Sequence, residues 1–426
     1  MRSADALVTG TSMLCSLGVG NEAVWEGVSS QKQTRGERTY EMRDGRTLCY
    51  PVYPMERLDL RDWLQASACR WLQEEQLDQD ADFVSLVVAA RLAMQEAGLP
   101  AAGEQTVALV IGHENAGVVP LMDRLLADPD VDGGADGRGD ALASFRRHQE
   151  AFFRIQTFTY PFYLAKALQI TGPSYIINNA CATGIYALEH GRQLVLSGQA
   201  DAAVVVCSDY AHATEHLWLG QKGLISPTQE LRPFDRRRNG SVLGDAAAAF
   251  VLESPSHAAK RQVRPICAYK GSRLRQDNWH ITLPDVAAHS YSRAMVDAIT
   301  QVADYQPPDL LIPHGTGSPL WDHYEAVEIH RAFAGLSCEV PPVTGFKSAV
   351  GHTLGACSLL ESALAVHCLV NNVIPPLQDY AEEDPKIRLP VVTKGVERKL
   401  RSVMKTVSAY GGFHAAAVFE QLVQGE

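Results

Sequence analysis

A cysteine placed between an apolar run and a helix has the setting of a nucleophile. Ser174-Tyr175-Ile176-Ile177 leads into Asn178-Asn179-Ala180-Cys181-Ala182-Thr183-Gly184, and Ile185, Leu188, Leu194 and Val195 then recur near helical spacing before Gly198. Cys181 is expected at a strand-to-helix turn, where unpaired N–H groups and the positive end of a helix dipole favour a thiolate. An isolated cysteine is more commonly a buried, inert thiol. A nucleophile needs partners for protons and developing charge, and two histidines stand in glycine-flanked turns after apolar strands. His314 follows Asp309-Leu310-Leu311-Ile312, and His352 follows Pro341-Pro342-Val343-Thr344 and Lys347. Each alone is more often a solvated or capping histidine. The joint pattern of one thiol and two imidazoles carries the argument.

The elements that must position these groups alternate between strand and helix. Residues 6–9 read as a strand, and a helix is expected from Asn21 to Val28. Residues 31–62 are polar and turn-rich. Helices are expected from Leu64 to Glu75 and from Phe83 to Ala97, then a strand from Thr106 to Ile111. Ala127 to Asp140 is rich in Gly and Asp and reads as a mobile loop. After the Cys181 helix, Asp201 to Cys207 is apolar enough for a strand covered on both faces, and Val242 to Leu252 gives another. Thr353 to Leu369 is a further helix, and Val403 to Val407 and Ala415 to Val418 are strands flanking Gly411-Gly412. Strand-turn-helix units with reactive residues occur in both halves, as a duplication would produce, although no repeat is legible residue by residue.

Composition narrows the class. With 426 residues, 46% hydrophobic and 20% charged, the chain can bury a large core, and no apolar run reaches the length of a membrane span. The start, Met1-Arg2-Ser3-Ala4-Asp5, has no apolar signal region, so a cytoplasmic enzyme with no membrane contact is expected. Nine cysteines without a C-x-x-C pair indicate neither a disulfide framework nor a zinc site. A net charge of −11 argues against a nucleic-acid partner. Arg232, Arg236, Arg237 and Arg238 form a local basic cluster that could meet an acidic carrier protein, though a solvated loop is the simpler reading.

The ordered motifs resemble the β-ketoacyl synthase family, the KAS II-like condensing enzymes of fatty acid and polyketide assembly. Leu7-Val8-Thr9-Gly10 with Leu17-Gly18 and Trp25-Glu26-Gly27 is similar to the family's opening, and Ala180-Cys181-Ala182-Thr183-Gly184 to its nucleophile turn. Arg232-Pro233-Phe234-Asp235 with Asn239 to Asp245, Asp277 to Thr282, His314 to Ser318 and Lys347 to Thr353 follow in family order. The resemblance implies an α/β thiolase fold of two similar βαβαβαββ halves, residues 1–255 and 256–426, layered α-β-α-β-α. It implies that Cys181 carries the acyl group as a thioester, while His314 and His352 promote malonyl decarboxylation and stabilise the enolate. Lys347 would be structural, paired with Glu325, and the N–H groups of Cys181 and Tyr410 would form the oxyanion hole. Thr316 and Ser318 match positions that bond a phosphopantetheine arm, and Thr282, Ser241, Tyr410 and Phe413 fall near the substrate. No cofactor of its own and no metal are implied, the phosphopantetheine belonging to an acyl carrier protein. The implied assembly is a homodimer, or a heterodimer with a paralogous ketosynthase or chain-length factor.

Three departures from the family pattern, at four positions, are present. Ser241 stands where Phe is usual, Phe413-His414 where Thr-Asn is usual, and Tyr410 where a gatekeeper Phe is usual. These point to an altered acyl site in type II polyketide or other specialised biosynthesis. Two alternatives keep the fold: a chain-length-factor-like partner subunit, which usually lacks the cysteine, and an acyltransferase that loads Cys181 without condensing.

Overall fold

The computed structural model describes residues 5–41, 45–100, 105–127 and 141–422. Five strands belong to the first half: β1 (Ala6–Cys15), β2 (Val107–Gly112), β3 (Ser174–Ile177), β4 (Ala202–Asp209) and β5 (Ala246–Glu253). Between them run α1 (Ala81–Glu96), α2 (Thr159–Leu168) and α3 (Thr183–Leu196). The second half repeats the scheme with β6 (Cys267–Gln276), α4 (Ser290–Asp297), β7 (Leu310–Ile312), α5 (Pro319–Gly335), α6 (Cys357–Asn371), β8 (Ser402–Ser408) and β9 (Phe413–Glu420).

The sheet order is β7-β8-β9-β6-β1-β5-β4-β2-β3. In half-by-half numbering, the first half reads 3-2-4-5-1 and the second reads 2-4-5-1. The missing third strand is represented by Val343, whose parallel bridge to Leu311 sets it beside β7. A shared strand order around this bridge is the duplication that residue identity does not reveal. The halves join where β1 pairs antiparallel with β6, Ala6 opposite Tyr269.

Three apolar clusters give the layers. One joins α3 and α6 to strand residues of both halves, such as Ala203 and Val205 of β4 with Val403 and Val407 of β8. A second covers the opposite face of the first half with Phe83 and Leu86 of α1 and Leu164 of α2. The third covers the second half with Tyr291 of α4 and Ile329 and Phe333 of α5. Leu354–Asn371 has a membrane-like length and hydropathy, but it is 83% buried inside the protein because it is this central layer.

Several elements differ from the sequence reading. Gly36–Glu41 and Thr47–Tyr53 pair as antiparallel strands, whose one-sided polarity hides strand character behind exposed charges. The expected Val242–Leu252 strand is divided at Asp245. Leu243–Gly244 pairs with the second of these strands at Val52–Tyr53, while Asp245 takes an ion pair from Arg38 and the N–H groups of Met55 and Ala211. The Thr353–Leu369 helix begins instead as a tight turn at Leu354–Ala356 before α6. The loop expected from Ala127 to Asp140 lies, from residue 128 onward, outside the described residues.

Candidate active site

The carboxyl ends of β2, β3, β7 and the Val343 bridge open on one cavity, as ligand sites of parallel α/β sheets do. After β3, Asn178 builds the turn: its Oδ1 accepts from Ala180 N at 3.1 Å and its Nδ2 donates to Glu114 O at 2.6 Å. Asn179 N donates to Thr183 Oγ1 at 2.8 Å. Ala180 is held at φ 50°, a left-handed conformation uncommon outside glycine, which tips Cys181 toward the cavity.

His352 is delivered by the second half's equivalent turn. Its N–H donates to Val242 O at 2.7 Å and its carbonyl accepts from Gly244 N at 3.1 Å. Gly351 precedes it at φ +79°, and a Cβ there would come within 2.8 Å of Leu243 O. His352 Nε2 lies 3.3 Å from Cys181 Sγ, and the His314 ring stands edge-on to His352 with centroids 5.2 Å apart.

His314 leaves β7 on a loop wrapped around two carboxylates of α5. Glu325 accepts His314 N at 2.6 Å and Gly315 N at 2.7 Å, and it also takes the Tyr291 hydroxyl. Asp322 accepts Thr316 N at 2.9 Å and Phe234 N at 2.8 Å. Glu325 therefore shapes the His314 turn, a correction to its expected pairing with Lys347. Lys347 Nζ donates to His314 O and to Glu361, each at 2.7 Å, and Lys405 shares Glu361 at 2.7 Å. The reason is positional: Glu361 projects from α6 beside both ammonium groups, while both oxygens of Glu325 are taken by the turn.

The cavity of about 80 Å³ is bordered by Cys181, His314, His352, Ser241, Thr316, Ser318 and Tyr410. Thr282 and Phe413 are not among the described residues bordering it. Thr282 lies in a loop whose Ile281 carbonyl accepts Gly411 N at 2.7 Å, and Phe413 stacks edge-on against Tyr186 at 5.9 Å. His414 is buried against Asp277 at 2.8 Å, tying β9 to the same loop. Tyr410 instead meets the rings of Trp218 and Trp321 at 6.1 and 5.8 Å.

Residues that the sequence reading did not assign to this site also border or adjoin the cavity. Glu114 and Glu215 lie on its wall, and Cys357 Sγ donates to Cys181 O at 3.4 Å. A signal for Glu114 was present: it stands two residues beyond β2, as His314 stands two beyond β7. Cys357 opens α6, so only the approach of α6 to α3 brings it here.

Burial, the Glu215 carboxyl and the Cys357 thiol push Glu114 well above the usual carboxylate range. Burial, then Lys347 and His352, hold His314 well below the usual imidazole value, so it is neutral. Burial opposes the charge of Lys347, yet Glu361 leaves it above its ordinary value. The hydrogen bond with Cys357, burial and Glu114 push Cys181 up. Cys357, despite its burial, is pulled down by the hydrogen bond with Cys181 and by Lys347. Cys357 and Glu114 thus oppose the thiolate that the helix end favours at Cys181.

Ligand atoms of Cys181, His314 and His352 lie within 4.8 Å of one another, as do those of His314, Cys357 and Glu361. Buried beyond the wall, Asp82, His113 and Asp209 form a third such set. His113 Nδ1 there accepts Asn115 N at 2.9 Å, which leaves its Nε2 facing Asp82 at 3.3 Å.

Residues 4–258 match the family profile described as beta-ketoacyl synthase, N-terminal domain, and residues 266–381 match that of the C-terminal domain. The chain belongs to the β-ketoacyl synthase family. Members of this family are condensing acyltransferases. The chain is 33% identical over 267 residues to the tetracenomycin polyketide synthase ketoacyl synthase alpha subunit of Streptomyces glaucescens, covering 58% of this chain and 60% of that one. It is 28% identical over 433 residues to nodulation protein E of Rhizobium meliloti (strain 1021), covering 98% and 99%. Among solved structures, the ishigamide ketosynthase/chain length factor superposes with a TM-score of 0.82 at 24% identity, covering 99% of this chain and 100% of that one. A beta-ketoacyl synthase from Burkholderia phymatum STM815 gives 0.80 at 20% identity, covering 99% and 100%. The ketosynthase likeness identifies the doubled architecture as the thiolase fold.

Proposed function

We propose that this chain condenses a Cys181-bound acyl group with a malonyl group, both delivered on the phosphopantetheine arm of an acyl carrier protein. The observation that carries this reading is Cys181 Sγ at 3.3 Å from His352 Nε2, with neutral His314 edge-on beside it. In the first step Cys181 attacks the acyl thioester, the carrier thiol leaves, and the thiol proton passes to the leaving sulfur. Loss of CO2 from the malonyl group then gives an enolate whose oxygen takes hydrogen bonds from the two imidazoles. The enolate carbon attacks the acyl carbonyl, and the released Cys181 sulfur regains a proton, so each condensation consumes one proton. In this reading the N–H groups of Cys181 and Tyr410 hold the tetrahedral oxyanion, a contribution of about 3–4 kcal/mol per donor. Thr316 and Ser318, at the cavity edge, bond the arm. Lys347 positions His314 through its carbonyl and touches no substrate. The reaction as written draws no step from a metal or from a cofactor other than the carrier's arm.

The acyl group is short or slender. The cavity is only about 80 Å³, Tyr410 and Trp321 border it, and Glu114 and Glu215 add acid groups to its wall. This favours a specialised pathway, and the tetracenomycin and nodulation relatives support the same reading. Retention of Cys181, both histidines and Lys347 favours an enzyme over a partner subunit of chain-length-factor type. Nine free thiols suit a reducing compartment, which supports a cytoplasmic location.

Three arginines of the basic cluster are paired within the chain, while Arg236 is exposed. Arg232 is paired with Glu230, Arg237 with Asp235 and Arg238 with Asp384. Assembly as a dimer, with a second copy or a paralogue, is supported by β3 at the end of the sheet and by exposed Phe145, Phe153, Phe158 and Phe162 on and between neighbouring helices. The deciding experiment supplies acyl and malonyl carriers and follows three products. Condensation yields a 3-oxoacyl carrier and CO2; a non-condensing acyltransferase yields the Cys181 adduct alone; a partner subunit yields neither.

A further inference from the structure

We propose that Cys181 and Cys357 form a paired-thiol modification site, in which Cys357 captures peroxide-oxidised Cys181 as an intramolecular disulfide. Cys181 borders the cavity and is partly exposed, so a small oxidant reaches it. Cys357 is 1% exposed and is not among the described residues bordering the cavity. Its Sγ donates to Cys181 O at 3.4 Å, and the two thiols are within hydrogen-bonding reach of each other. The backbones are close as well: a Cβ on Gly184 would sit 2.4 Å from Leu359 N, and Ile185 N donates to Ser358 Oγ at 3.3 Å. Cys181 precedes α3 and Cys357 opens α6, so neither sulfur is fixed in a helix interior. A disulfide needs close approach of the two backbones and a modest movement of the side chains, and the α3–α6 contact supplies the former.

The chemistry balances with hydrogen peroxide as oxidant. Cys181 passes its proton to His352 Nε2, 3.3 Å away, and the Cys181 thiolate takes one oxygen from peroxide, giving a sulfenic acid and a hydroxide that leaves as water with that proton. The Cys357 sulfur then attacks the sulfenic sulfur. The sulfur–sulfur bond forms, the sulfur–oxygen bond breaks, and the departing hydroxyl leaves as water with the Cys357 proton. Two thiol sulfurs are oxidised and one peroxide is reduced. The pair cannot accept an acyl group while joined, and a thiol reductant restores it. Without Cys357 the sulfenic acid lacks its resolving thiol, and a second peroxide carries it to sulfinic acid, which reductants do not reverse.

The inference rests on Cys181 being the reactive thiol, and it is read without substrate. Full-length protein is treated with hydrogen peroxide, digested without reduction and mapped by mass spectrometry. The expected result is a peptide joining Cys181 to Cys357 with loss of two hydrogens, reversed by dithiothreitol. Cys357→Ala and Cys357→Ser are expected to gain oxygen at Cys181 that dithiothreitol does not remove, with thermal midpoints confirming that they fold. A linkage of Cys181 to Cys207, or stable oxygen adducts on the native protein, would overturn the proposal. A joined pair in a protein that never forms a 3-oxoacyl product would sink the condensation reading and leave this one standing.

Discussion

Ser241 borders the cavity in a place where the family resemblance leads one to expect an aromatic ring, and Phe413 does not replace that ring because it packs on Tyr186. Ser241→Phe should therefore put a ring into a space of about 80 Å³ and restrict Cys181 loading to the shortest saturated acyl groups. Intact mass across a chain series checks this, and an unchanged preference would move the selectivity to Tyr410 and Trp321. Cys181→Ala should lose the acyl adduct while changing stability by about 1 kcal/mol or less, since one sulfur at a turn is removed. An adduct persisting on that variant would make another residue the nucleophile, with Cys207 and Cys357 the first to test. Lys347→Met should cost about 3 kcal/mol, because it strips one of two ammonium groups from buried Glu361 and a donor from His314 O. Chemical denaturation measures the loss, and a neutral result would mean that Lys405 alone suffices.

At the scale of elements, the His352 turn depends on a glycine that no neighbour can spare. Gly351→Ala should cost at least about 1 kcal/mol from its left-handed backbone, and the contact at 2.8 Å to Leu243 O should displace His352. Its expected kinetic signature is a larger fall in condensation than in Cys181 acylation, measured on the same preparation. On α6, burial holds His367 at about 4 against an ordinary 6.5. The unfolded chain therefore takes the proton first, so the stability contribution is complete above pH 6.5 and is lost as pH falls toward about 4. His367→Gln should reduce that pH-dependent loss by up to about 2 kcal/mol. Thermal melts across the window would contradict this if both proteins fell equally.

For the whole molecule, the open edge of β3 and the exposed phenylalanines call for a partner. Sedimentation should show a dimer, and Phe153→Asp with Phe158→Asp should weaken it; a fully active monomer at micromolar concentration would refute the assembly. Much of this protein was determined by local sequence. The apolar runs of β2, β4 and β7, the turn around Cys181 and the glycines beside both histidines each depend on neighbours along the chain, so their types and places were legible. The pairing of Gly36–Glu41 with Thr47–Tyr53 was not, because its inward-facing residues become apolar surface only when Leu243–Gly244 pairs with Tyr53 and Val52. The second half's third strand was reduced to a bridge at Val343 and left too short a run to show periodicity. Only tertiary structure decided that Lys347 meets Glu361 rather than Glu325, that Glu114 enters the cavity, and that Cys357 stands beside Cys181. Each of those contacts joins separate elements, and side-chain direction across such a gap follows from how the elements pack rather than from spacing along the chain.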